Sequence, residues 1–428
     1  MFCKVALLTV ALSFLASASP LLEPHVTGVR IPIRKRASLT TADGVFDHDK
    51  AILYTVQTVN KHRQNLINLK LNLGEDAFNI GAKILPVAVA PIANLEKRVA
   101  DMRKRQSVSL TDQKEVEWTG SISIGSDKQQ FVIDFDTGSS DLWVPNAQNC
   151  SSCAGKNTYS SNTSTSSVQE PGTFSIQYGD GSTVSGPIYR DIVDVAGVKA
   201  VNQTFSAVTN LSSIFNDDPI DGILGMGFQD ISTLQTPPFF QSAFSQGSAK
   251  QNMFAFKLAD NGSELYLGGT NSDLYTGSIE YHKVTGSGYW QTAGAKITAN
   301  GQAGNSSTFD TIIDSGTTII YGTPDSVKAF YDTIPGAKIF DADFGYYSFP
   351  CNSTPTVAFN WGGKDWTVSA DNFNLGQTYS GSGQCVGAVA GQDIGIGNNV
   401  WILGDSFMKN VYSVFNLDDN TIGFATLA

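Results

Sequence analysis

A chain of 428 residues with 41 Gly, 11% aromatic and only 16% charged residues has room for two or three domains, and it favours short strands and tight turns over long charged helices. It has no sustained heptads and, beyond its N-terminus, no apolar stretch of about 18 residues, which sets aside coiled coils and membrane spans. The formal net charge of −11 is unevenly spread.

The first segment carries a targeting signal. Lys4 precedes an apolar run over 5–15, and Ala16-Ser17-Ala18 supplies small residues for cleavage, so 1–18 reads as a secretory signal peptide. Residues 19–105 hold fourteen Lys and Arg against eight Asp and Glu, a net of +6, while 106–428 hold thirteen against 31, a net of −18. Lys97-Arg98 and Arg103-Lys104-Arg105 resemble dibasic sites cut by secretory processing proteases. A solvated charge run is the alternative, but their place just before a strand-rich region favours processing. Ile52, Leu53, Val56, Val59, Leu66 and Leu69 fall near helical spacing, so 19–105 is expected to fold in part, as a removable basic piece docked on an acidic surface.

Beyond residue 106, strands are predicted over 116–124, 130–136, 174–178, 188–195, 205–208, 254–257 and 264–267, with short helices at 238–245 and 324–333. The Ser, Thr and Asn run at 160–167 reads as a surface loop. Four cysteines follow the signal. Of their three pairings, Cys150–Cys153 and Cys351–Cys385 are expected; a redox or zinc reading of Cys-Ser-Ser-Cys suits a cytosolic protein better. Acceptor sequons at Asn149, Asn162, Asn202, Asn210, Asn261, Asn305 and Asn352 agree with secretion.

Two stretches organise the rest. Val132-Ile133-Asp134-Phe135-Asp136-Thr137-Gly138 runs from a strand into a tight turn, and Ile312-Ile313-Asp314-Ser315-Gly316 repeats it. Each is followed by an Ile-Leu-Gly strand, ending at Gly225 and Gly404, 89 residues after Asp136 and 90 after Asp314. A buried strand explains each copy alone; the matched interval implies two halves of one design. For peptide hydrolysis, the reaction implied by the resemblance described next, a site without metal or covalent intermediate needs a base for water and an acid for the carbonyl oxygen. Two carboxylates brought close share one proton and supply both, which predicts activity at acidic pH. Asp136 and Asp314 are the expected catalytic pair, and Gly138 and Gly316 let each loop turn and approach its partner.

From about residue 118 to its end, the chain resembles the pepsin-like aspartic endopeptidases, most of all the secreted fungal members. The resemblance implies an all-β, bilobal fold with two similar barrel-like lobes (106–275 and 276–428), a cleft between them and a β-hairpin flap. It also implies that Thr137 and Ser315 bond across the lobes, that Ser139 and Thr317 stand beside the acids, and that Gly138 and Gly316 contact the substrate main chain. Tyr178, Gly179 and Asp180 match the flap tip, with Tyr178 reaching toward Trp143. Ile214, Ile220 and Ile223 align with the pocket before the scissile bond, Tyr289 and Ile312 with the one after it. Family precursors place a Lys on the acid pair; here Lys61 and Lys70 both qualify.

Two positions depart from the family's pattern. Trp118 replaces a Tyr. Asp134 stands where the family has an apolar residue, two before Asp136 and so on the same strand face; with Asp180 it predicts that Lys or Arg is accepted before the cut. Polypeptides and the chain's own propeptide are the expected partners of a monomer, with no cofactor, metal, nucleic acid or membrane, in the extracellular space or a vacuole. With a single His, His282, after residue 106, serine and zinc hydrolases are poor rivals. The serious alternative is an inactive binding or inhibitor protein on the same fold. Such proteins usually lose an acid, a glycine or the flap Tyr, and this chain keeps all of them.

Overall fold

The computed structural model describes residues 28–34, 38–91, 118–177, 183–212, 215, 219–259, 262–304 and 307–428. The signal segment and both dibasic stretches lie outside them. The fold is all-β in its main body, and among the described residues four sheets carry it.

The first half builds a seven-stranded sheet in the order Thr119–Ile124, Gln129–Asp136, Gly222–Gly225, Leu142–Pro145, Val198–Val208, Thr183–Val195, Val168–Gln177. Ser123 and Ile124 also pair with Asp194 and Val193, which curls the sheet back on itself. The second half repeats the core of this plan. Phe309–Ile313 runs parallel to Val400–Leu403, as Gln129–Asp136 runs parallel to Gly222–Gly225. Strands paired on both sides and covered on both faces need apolar residues without alternation, and Val400–Leu403 is buried throughout. A four-stranded sheet, in the order Lys338–Asp341, Tyr346–Pro350, Gln384–Gly387, Asn374–Gln377, flanks this half. Cys351–Cys385 staples it, and Cys150–Cys153 closes a small loop in the first half.

A six-stranded sheet joins the halves, with Met253–Lys257 and Glu264–Leu267 from the first and Tyr275–Lys283, Tyr412–Asn416 and Thr421–Leu427 from the second. Its outer edge is Val29–Pro32, from the N-terminal segment. That segment then forms the long helix His48–Leu73, capped by the Asp47 side chain on the Lys50 N–H at 3.1 Å and stopped at Gly74, φ 92°. The periodic residues Ile52, Val56, Val59, Leu66 and Leu69 are buried against the body. Burial of this stripe, rather than helix propensity, holds such an isolated helix.

Candidate active site

The two Asp-hydroxyl-Gly loops meet at the junction of the halves. Thr137 N–H donates to Ser315 Oγ (3.0 Å) and Ser315 N–H to Thr137 Oγ1 (2.9 Å). Each hydroxyl then donates onward into the opposite loop, Thr137 Oγ1 to Ile313 O at 2.9 Å and Ser315 Oγ to Phe135 O at 2.7 Å. All four bonds are buried, so breaking any one strands a polar group away from water. The carboxylates are oriented locally: Gly138 N–H donates to Asp136 Oδ1 and Gly316 N–H to Asp314 Oδ1, both at 2.9 Å. The glycines are required by close approach. A Cβ on Gly138 would stand 2.4 Å from the Asp314 carboxylate, and one on Gly316 would stand 2.1 Å from Asp136 Oδ1.

The Ile-Leu-Gly strands fix where each acid sits. Phe135 pairs with Leu224 and Ile313 with Leu403, which is why the two intervals match. Asp314 is fully buried and Asp136 2% exposed. Thr317 Oγ1 donates to Asp314 Oδ2 at 2.7 Å, whereas Ser139 Oγ, expected to do the same for Asp136, has no hydrogen-bond partner among the described residues.

The helix His48–Leu73 lies across this pair. Lys61 Nζ is 3.1 Å from Asp136 Oδ1 and 2.9 Å from the Asp314 carboxylate, and His62 Nε2 is 3.1 Å from Asp314 Oδ2. Burial works against the Lys61 charge, but the two carboxylates outweigh it and hold the ammonium above its ordinary 10.5. Burial likewise works against ionised Asp314, yet Lys61 and His62 hold its carboxyl well below 3.8. For His62, burial wins over the bond to Asp314, and the imidazole is pulled below 6.5. Its Nδ1 is buried without a partner among the described residues, which strands less polarity in a neutral ring donating through Nε2 than in an imidazolium. Amides complete the seat: Asn65 donates to Gly138 O, and Asn68 to Ile231 O, both at 2.8 Å, and Asn72 to Asp230 O at 2.9 Å.

Asp134, Asp136, Gly316 and Ile223 line one cavity of about 70 Å³ beside the helix, with Trp143, Ile176 and Phe215. Ile220 packs behind it with Trp143 and Phe215. Tyr289 is buried with its ring 5.7 Å from that of His62, and Ile312 is wholly buried in the main core. Tyr178, Gly179, Asp180 and Ile214 lie outside the described residues. Lys70 is on the far side of the helix, bonded to Glu75. Sequence reasoning missed His62 and the Asn65, Asn68, Asn72 row, although the row's spacing marks one helix face.

The family model for eukaryotic aspartyl protease matches residues 117–427. An aspartic protease of Phaffia rhodozyma is 45% identical over 334 residues, 77% of this chain and 81% of that protein. Major aspartyl peptidase 1 of Cryptococcus neoformans var. grubii is 32% identical over 77% of this chain and 73% of its own. Pepsin A of Suncus murinus is 32% identical over 88% of this chain and 96% of its own.

Proposed function

The chain belongs to the eukaryotic aspartyl protease family and is an aspartic-type endopeptidase, and from this we propose that it is a secreted zymogen whose segment 19–105 blocks the acid pair until low pH releases it. One observation carries the reading: the Lys61 ammonium fills the space between Asp136 and Asp314 where the attacking water of a free enzyme belongs. The match to pepsin A supports it, since 88% of the chain is more than 117–427 can supply. Exposed sequon residues Asn149, Asn162, Asn202, Asn210 and Asn352 fit a glycosylated, secreted protein; Asn261 and Asn305 lie outside the described residues.

In the released enzyme one aspartate takes a proton from water while the other, protonated, donates to the substrate carbonyl. Gly138 and Gly316 bring the main chain within reach of the substrate, Thr137 and Ser315 lock the two loops together, and Thr317 holds the Asp314 carboxylate. Tyr178, Gly179 and Asp180 cover the substrate from the flap, and Ser139 supports Asp136 once the helix has left. Ile214, Ile220 and Ile223 shape the pocket before the cut, and Tyr289 and Ile312 back the one after it.

The sign of the pH response follows from His62. It is faced by Lys61, Asp314, Asp136 and Tyr289. Docked, its pKa is below 6.5; released, it returns to about 6.5, so the released state binds more protons and gains on the docked one as pH falls below that value. Asp314 adds to this at lower pH, because release frees it from the cations that hold it ionised. The test is acidification of the purified precursor, following hydrolysis of a short peptide together with the new N-terminus. Wild type should be silent near neutral pH and active in acid. His62→Gln, which keeps a donor for Asp314 but cannot titrate, should need a pH lower by about half a unit or more. A precursor fully active at neutral pH with the segment attached sinks the zymogen reading.

Asp134 sets the substrate preference in this proposal. It is 4% exposed, pairs across the sheet with Thr119 and Ile223, and brings a carboxylate to a cavity whose apolar walls are Trp143, Ile176, Phe215 and Ile223 and which Asp136 and Asp141 also line. A Lys or Arg side chain can place its stem on those walls and its charge on the acid. Cleavage mapping on a mixed peptide library should show basic residues accepted before the cut, and Asp134→Ile should lower their use about tenfold relative to Leu or Phe. An unchanged profile overturns the assignment.

A further inference from the structure

A second feature of the N-terminal segment lies away from the acid pair, on the edge of the four-stranded sheet. Residues 39–47 form a tight hairpin, Thr40 bridging Phe46, that docks on the outer strand Asn374–Gln377 through a parallel bridge of Val45 to Gln377. Phe46 N–H donates to Gln377 O and Gln377 N–H to Gly44 O, both at 2.8 Å, while Thr40 Oγ1 donates to Leu375 O at 2.9 Å. The Phe46 side chain, 4% exposed, reaches Tyr346 and Phe340, with ring centroids at 5.4 and 6.1 Å and edge-on geometry. Two residues on, His48 Nε2 sits 2.7 Å from Asp341 Oδ2. The sheet is shaped for this chain: the three atoms nearest a Cβ on Gly376 would be Gly44 O, Thr40 Cγ2 and Phe46 N, at 2.9 to 3.0 Å.

Once that segment departs, Gln377 N–H, Gln377 O and Leu375 O on this edge lose their partners, and Phe340 and the acid Asp341 lose theirs on the opposite outer strand, Lys338–Asp341, which Phe46 and His48 reach across the sheet. Such an edge pairs with another extended chain. It also lies within reach of the catalytic pair. The helix that starts at His48 meets the acid pair at Lys61, 13 residues and about 20 Å later, a span that about six residues of extended polypeptide cover.

Resting on the reading of a removable segment, we propose that the surface this segment vacates, from the edge 374–377 across Tyr346 to Phe340 and Asp341 on the opposite strand, is an exosite of the mature enzyme. It takes a second stretch of the same polypeptide substrate, one carrying an aromatic residue followed two positions later by a basic one. The docked segment shows the pattern, with Phe46 in the aromatic place and His48 in the basic one.

The test compares a short peptide, which spans the acid pair alone, with a long denatured protein, using acid-activated wild type and Phe340→Ala. A synthetic peptide of residues 38–49, and its Phe46→Ala version, serve as competitors. Phe340→Ala should raise KM for the protein about three- to tenfold and leave the short peptide unchanged. The 38–49 peptide should do the same to wild type, and its Phe46→Ala version should not. Equal effects on both substrates, or none on the protein, overturn the exosite. The intact mass of the active enzyme separates the two readings. An active form that keeps residues 38–49 sinks the removable segment and the exosite with it; one that has lost them yet treats Phe340→Ala as wild type sinks the exosite alone.

Discussion

Asp136→Asn is expected to leave a folded protein that hydrolyses peptides at acidic pH about 10^4-fold more slowly than wild type. The fold should survive because the substitution keeps what the loop requires. An Asn Oδ1 still accepts the Gly138 N–H, and the bonds of Thr137 to Ile313 and Ser315 do not involve the carboxylate. What is lost is the chemistry. An amide cannot share the proton that a close pair of carboxylates holds, so no group remains to pass it between water and carbonyl. Asp314→Asn should cost as much, and the double variant hardly more, since the two acids act as one unit. The measurement is kcat/KM on a short peptide at the pH optimum, with thermal unfolding as the control. If Asp136→Asn kept more than a few per cent of the activity in a fully folded protein, the pair would not be the catalytic unit.

The site was legible in sequence wherever close approach leaves no choice of residue. Gly138 and Gly316 each face the opposite carboxylate at a distance no side chain permits, and the intervals to Gly225 and Gly404 record strand registers rather than chance. The long helix was legible as well, since Ile52, Val56, Val59, Leu66 and Leu69 must bury one face. Hydrogen-bond partners were not. Ser139 and Thr317 occupy equivalent places after their acids, yet only Thr317 bonds its carboxylate, because the partner of a hydroxyl depends on small rotations that no spacing encodes. His62 escaped for another reason. A histidine beside a lysine in a basic segment reads as solvated charge until the helix is seen lying on two acids.

The choice between Lys61 and Lys70 turns on helix geometry and leads to the second large effect. Nine residues at 100° each put the two side chains on opposite faces. Lys61 is on the face of Asn65, Asn68 and Asn72 and reaches both aspartates; Lys70 bonds Glu75 in solvent. Removing one partner of a buried ion pair leaves the other uncompensated, at a cost of about 3 kcal/mol or more. In Lys61→Met that cost falls on the docked state alone, because in the released enzyme the acids are hydrated. The open fraction should therefore rise about a hundredfold. The amide bonds of Asn65, Asn68 and Asn72 do not depend on charge and should keep the helix from leaving altogether. The expected result is a leaky precursor, active on a short peptide at the lowest pH where wild type is still silent. Lys70→Met should behave as wild type. The assay is initial rate against pH on uncleaved precursor, its length checked by mass. A silent Lys61→Met beside a leaky Lys70→Met would place the block elsewhere on the helix. Equal silence of both would mean that the buried apolar stripe, not the ion pair, holds the enzyme shut.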